Sequence, residues 1–296
     1  MGLTLLSVLA PVSVPVILGY IWVRSGRPYD SSTFGQLVAD VAMPCLVFSA
    51  LAKAEMTLDS LGQMATASLA CLALLAVIGT LGLYLTGLRV RTYLPSVTWG
   101  NYGFFGIPLA FYAFGESGLA YAVVFSAVSH AFNSPLSQVV CAASVRSSTL
   151  ARVIIRTPLV YAVAAGIAVA SLHVQLPDAV IRSASLLGGI AIPTMLIMVG
   201  ASLARLRPIS FARAAIFSVV RAVAGIAIGS IVAASFDLPG IAKHVLVLQC
   251  AMPVAVLSYV FAQRWNNEPD EIASLVAIST WSAAFTIPLT LFFLVR

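Results

Sequence analysis

The residues able to do chemistry in this sequence are few, and the most telling lie where apolar segments are interrupted. Asn101 stands in T-W-G-N-Y-G-F-F-G-I-P-L-A-F-Y-A-F-G, flanked by Gly100 and Tyr102 and followed by Gly103, Gly106 and Pro108. Glycine loosens a helix, while proline removes a backbone donor and disfavours helix in the residue before it. Two half-helices with an unwound centre fit this pattern. There the Asn101 amide and the freed backbone N–H groups would receive a carboxylate, and Tyr102, Phe104 and Phe105 would cover the rest of a ligand. The alternative is a kinked but continuous helix in which Asn101 merely satisfies freed backbone groups. The break itself falls at Gly100–Asn101 or at Pro108; spacing does not choose between them.

A second apolar stretch, V-L-V-L-Q-C-A-M-P-V-A-V-L-S-Y-V-F-A-Q-R-W, is interrupted near Met252–Pro253, with Gln249 one turn before the proline. Between the two stretches, Ser126, His130 and Asn133 share one helical face by their spacing. They are candidates for ligand contact or, at His130, for a proton relay; a hydrogen-bonded structural role is the alternative. Asp40 and Arg221 are the ionisable groups, His aside, that fall deep within apolar segments. Such groups are costly in a membrane and often functional, so both are candidates for proton or charge coupling. Against that, Gln36 would bond Asp40, and Arg221 would snorkel to the interface.

The elements that position these residues follow from composition. The chain has 296 residues, 60% hydrophobic and 9% charged, against roughly 25% charged in soluble domains. Its mean hydropathy is +1.02. This is an integral membrane protein. Scattered basic residues form no patch for nucleic acid, and no basic n-region marks a cleavable signal. Cys45, Cys71, Cys141 and Cys250 lie singly in apolar sequence, as packing residues and not metal ligands. No H-E-x-x-H, G-x-S-x-G or P-loop is present, so no enzyme, cofactor or metal is expected.

With about 20 apolar residues per span, an all-α protein of ten spans is predicted near 4–23, 33–52, 61–87, 93–114, 119–144, 158–174, 179–204, 209–235, 241–263 and 272–295. Eleven of the sixteen Lys and Arg residues fall in the odd-numbered loops. The positive-inside rule then places both termini outside the cytoplasm. Pro11, Pro44 and Pro108 are spaced by 33 and 64 residues, and Pro158, Pro193 and Pro253 by 35 and 60. V-A-M-P-C-L-V around Pro44 parallels I-A-I-P-T-M-L around Pro193. Two halves, 1–145 and 158–296, joined by an Arg-rich cytoplasmic linker at 146–157, thus read as a repeat. Five spans per half make it inverted.

G-N-Y-G-F-F-G-I-P-L-A, A-M-P-V-A-V-L-S-Y-V-F-A-Q-R-W-N and P-D-E-I-A-S-L-V-A-I-S-T together resemble the auxin efflux carrier family, which includes plant PIN carriers and bacterial malonate-transporter-like proteins. The resemblance covers essentially the whole chain. It implies a fold similar to bile-acid sodium symporters, with spans four and nine broken and crossing. It also implies a scaffold of spans one, two, six and seven, a transport domain of the other six, and a homodimer in the plasma (inner) membrane. The function it implies is secondary transport of a small organic anion, auxin-like or dicarboxylate, by elevator-type alternating access. The family's crossing asparagine falls on Asn101 and its crossing proline on Pro253. The plant carriers have proline where this chain has Gly100. A sodium-coupled organic anion symporter is the nearest alternative; an anion channel or membrane-embedded enzyme would be a different class.

The charge bias generates a first prediction. A cysteine at Ser147 should react with an impermeant thiol reagent only from the cytoplasmic face. Labelling from outside intact cells would reverse the topology.

Overall fold

The computed structural model describes residues 2–53, 57–141, 158–172 and 174–294, and their regular structure is entirely helical. The Arg-rich linker lies outside the described residues. Seven helical stretches among the described residues are long and apolar enough to cross a membrane. Three of the expected spans are absent from that set for physical reasons. Those at 93–114 and 241–263 are divided by non-helical backbone into shorter helices. The one at 158–174 is described as a helix of 14 residues, α7 (Pro158–Ser171).

In chain order, α1 is Gly2–Arg24. A stretch of α2 (Ser31–Leu37), a π-helical turn (Val38–Ala42) and α3 (Met43–Lys53) follows. The Asp30 carboxylate starts α2 by accepting from Thr33 Oγ1 at 2.5 Å and from the Ser32 N–H at 2.9 Å, and these local bonds, the Thr33 one foremost, hold its pKa below the ordinary carboxylate value. Next come α4 (Leu58–Leu85) and α5 (Val90–Thr98). A second π-helical turn (Tyr102–Gly106) then leads into α6 (Ile107–Cys141). The expected spans at 93–114 and 119–144 meet at a sharp kink within α6, where the chain folds back so that Gly118 approaches the Ala110 carbonyl. Only Gly115 leaves helical geometry there, at φ 67° and ψ −154°, a conformation open to glycine and hardly to other residues.

Two compact units emerge, and the chain passes between them repeatedly. The first comprises Met1–Gln63, Gly103–Ala127 and Ser148–Arg205. Within it α1 lies along α9 (Ala191–Arg205), and α3 packs on α7 and α8 (Asp178–Gly189). A Cβ on Gly200 would collide with the Val16 carbonyl, so α1 and α9 meet backbone to backbone. Small residues permit this closeness, which drives helix association in lipid.

The second unit comprises Met64–Tyr102, Val128–Ser147 and Leu206–Arg296. Here α10 (Phe211–Ser235) packs on α11 (Gly240–Cys250) and α13 (Pro269–Leu294), and α12 (Val256–Trp265) packs on α13. One end of this unit is tied by Glu271, a carboxylate only 7% exposed. It accepts from Tyr93 Oη at 3.2 Å, from Arg213 Nη1 at 3.3 Å and from Ser210 Oγ. Ser274 Oγ, one turn on, accepts the Ile209 N–H at 2.8 Å.

Gly200→Ala should force α1 and α9 apart, at a cost of roughly 1–3 kcal/mol for overpacking. Gly62→Ala, with nothing within 4 Å of the added methyl, should be neutral or gain about 1 kcal/mol in helix propensity. Thermal unfolding in one detergent compares them; equal melting temperatures would contradict the close approach.

Candidate functional site

The second unit is built around two stretches of backbone that leave helix in its interior. The first begins where α5 ends at Thr98, and helix resumes at Tyr102. This places the interruption at Trp99–Asn101 and leaves Pro108 inside α6, deciding the alternative that sequence spacing left open. The second runs from Ala251 to Ala255, between the end of α11 and the start of α12.

The two stretches lie antiparallel. Gly100 pairs with Val254 as an isolated β-bridge. The Asn101 N–H donates to the Pro253 carbonyl at 2.7 Å, and the Ala255 N–H donates to the Trp99 carbonyl at 2.9 Å. Pro253 has no N–H to offer, so the Asn101–Pro253 pair makes one bond where an antiparallel pair would exchange two. The Val254 N–H goes to Ser279 Oγ at 3.1 Å, and Ser258 Oγ donates to the Pro95 carbonyl at 3.3 Å. Unpaired backbone groups are expensive in hydrocarbon; here the two interruptions satisfy each other.

Arg221 completes the arrangement, and it does not snorkel. The residue is 6% exposed. Its Nε donates to the Ser96 carbonyl at 3.1 Å, Nη1 donates to the Met252 carbonyl, and Nη2 lies 3.5 Å from Tyr102 Oη. Tyr102 Oη in turn donates to the Thr98 carbonyl at 2.9 Å. One guanidinium therefore serves a carbonyl in the last turn of α5 and that of Met252, two residues beyond the end of α11. Two glycines make room for it. A Cβ on Gly225, one turn beyond Arg221, would strike the Cys250 carbonyl, so α10 runs against the end of α11. A Cβ on Gly100 would lie 2.5 Å from the Tyr102 ring and 2.6 Å from Arg221 Nη2.

Of the sequence candidates, Gly100, Asn101, Tyr102, Met252, Pro253 and Arg221 come together here. Asn101 is 6% exposed and its side-chain Nδ2 has no hydrogen-bond partner. Gln249, in the last turn of α11, is fully buried with both amide atoms likewise unpartnered. The His130 ring stands edge-on to Trp99, centroids 5.8 Å apart, which brings it to the flank of the paired stretches. Asn133 is bonded through Nδ2 to Ser129 Oγ at 2.9 Å and not to His130; its Oδ1 is unpartnered.

Ser126 and Asp40 belong to the first unit. Ser126 Oγ is buried without a partner, 3.5 Å from where a Cβ on Gly103 would stand. Asp40 sits in the π-helical turn and is exposed, as is Gln36; no bond joins the two among the described residues. Sequence reasoning missed Ser96, Ser258 and Ser279, which anchor the interruptions, and Glu271. The signal for two of them was present in P-D-E-I-A-S-L-V-A-I-S-T, whose polar residues recur at helical spacing.

Comparison with known proteins adds a family. The family model described as "Membrane transport protein" matches residues 4–139 and 142–291. An uncharacterized transporter of Methanothermobacter thermautotrophicus is 28% identical over 300 residues, covering 97% of this chain and 96% of the relative. Auxin efflux carrier component 1 of Arabidopsis thaliana is 26% identical over 124 residues, which take in 41% of this chain and 20% of the plant protein.

Proposed function

The chain belongs to the membrane transport protein family, that of the auxin efflux carriers, and on that premise we propose that it is a secondary transporter of a small organic anion. The carboxylate is held where the Trp99–Asn101 and Ala251–Ala255 stretches pair. The observation that carries this reading is the Asn101 amide, buried, unpartnered in Nδ2 and set at the start of a resumed helix. A buried donor without a partner costs about 1–3 kcal/mol, and a carboxylate oxygen would remove that cost. The N-terminal ends of resumed helices favour negative charge. Gln249, buried and unpartnered in the last turn of α11 and one turn before Pro253, offers a second amide.

In this reading the halves 1–145 and 158–296 form an inverted repeat of ten spans, and the two interrupted segments cross. Spans one, two, six and seven act as a scaffold through which two copies associate. The remaining spans carry the substrate across by an elevator motion. Tyr102, Met252, Pro253, His130 and Asn133 line or support the substrate, and His130 or Asp40 takes any coupled proton.

If Asn101 donates to the substrate, Asn101→Ala loses a charge-assisted bond worth about 1.5–3 kcal/mol, tenfold or more in affinity. Asn101→Asp should be worse, since it opposes like charges. Binding to purified, monodisperse variants measures this. Wild-type affinity in Asn101→Ala would remove the residue from the site, leaving only a loss of thermal stability as its role.

Few carboxylates lie within the spans to build an oxygen-rich cation site, so transport should not depend on sodium. Uptake at fixed membrane potential should be unchanged when potassium replaces sodium. Strict sodium dependence would instead favour the symporter alternative.

A further inference from the structure

A helix interrupted in mid-membrane exposes two opposite poles. Its first half ends in carbonyls, equivalent to roughly −0.5 charge, and its second half begins in N–H groups, equivalent to roughly +0.5. Two such interruptions side by side would present both signs in equal measure. A pocket built from them alone has no charge preference.

Arg221 breaks that symmetry. Its guanidinium is spent on carbonyls at these ends: Ser96 and, through Tyr102 Oη, Thr98 in the last turn of α5, and Met252, two residues past the end of α11. One full positive charge meets two partial negative ends whose sum is roughly −1. No carboxylate forms an ion pair with Arg221 among the described residues, so the charge is not cancelled elsewhere. What remains facing the ligand are the positive ends, where the chain re-enters helix at Tyr102 and at Val256. The buried, unpartnered Asn101 Nδ2 adds a donor of the same sign at that place.

We infer that Arg221 is the residue that sets the sign of the transported ligand. It acts as a positioning residue that neutralises the carbonyl poles and leaves a net charge of about +1 for a single carboxylate. Gly100 is its necessary companion. A side chain there would occupy the place of Nη2, 2.6 Å from a built Cβ, and push the guanidinium off the α5 carbonyls. This inference rests on the proposed function and names the ligand class of that site as singly charged anions.

The test uses three probes sharing one ring and differing in charge: indole-3-acetate, the neutral alcohol indole-3-ethanol, and cationic tryptamine. Their dissociation constants are measured on the purified full-length chain. Wild type should bind the acetate at least tenfold more tightly than the alcohol, and tryptamine least. Arg221→Gln should bring acetate and alcohol to within about threefold of each other, since uncancelled poles favour neither sign. Arg221→Lys keeps the charge but not the three bonds, and should recover most of the acetate preference even if overall affinity and melting temperature fall. That rescue separates charge from packing, and it decides the matter alone if Arg221→Gln is not recovered as monodisperse protein. An Arg221→Gln protein that keeps the wild-type acetate-to-alcohol ratio overturns the inference while leaving the proposed function standing. So does an Arg221→Lys protein without the preference. A wild type that binds the alcohol as tightly as the acetate overturns both.

Discussion

Backbone that leaves a helix inside hydrocarbon must find partners for its donors and acceptors, because no water is there to supply them. In this protein that requirement is met by joining two interruptions to each other. Asn101 bonds Pro253, Ala255 bonds Trp99, and Arg221 gathers the Ser96 carbonyl from the end of α5 and the Met252 carbonyl just past α11. The neighbouring features follow from this junction. Gly225 allows α10 to reach the end of α11, Gly100 leaves room for the guanidinium, and Ser279 and Ser258 satisfy groups that the pairing does not reach.

The same junction explains why an uncompensated buried amide is informative here. Many polar groups around the paired stretches are satisfied, the Ser258 and Ser279 hydroxyls among them. Asn101 Nδ2, both atoms of the Gln249 amide and the Ser96 hydroxyl are not. Where the backbone is so fully provided for, side-chain donors left open in the interior are better read as facing a ligand than as defects of packing. The family supplies transport; the open amides supply a place at which a substrate would be held.

Much of the helical layout was legible because hydropathy is a local property of sequence. The interrupted segments were legible too, since glycine and proline act on their own neighbours. The choice between Gly100–Asn101 and Pro108 was not, because proline is tolerated in a first helical turn and only tertiary bonding shows which carbonyls lose partners. The direction of Arg221 was equally hidden. Its distance from the membrane surface permits snorkelling, and nothing in the spacing pairs residue 221 with residues 96 and 252. Glu271 read as part of a polar lead into the last span, whereas packing buries it among Tyr93, Ser210 and Arg213. Asp40, by contrast, lies deep in an apolar segment by sequence and is exposed on its π-helical turn.

The central claim is that a carboxylate binds at the pairing of the two non-helical stretches. It is tested most directly by locating a ligand. A bromine-substituted analogue of a carboxylate that gives saturable uptake would be bound to the purified protein and its bromine placed by anomalous scattering. The account predicts a single bromine in the second unit beside Asn101, with the carboxylate oxygens within hydrogen-bond distance of Nδ2. Full occupancy elsewhere, with the Asn101–Pro253 junction empty, would contradict it.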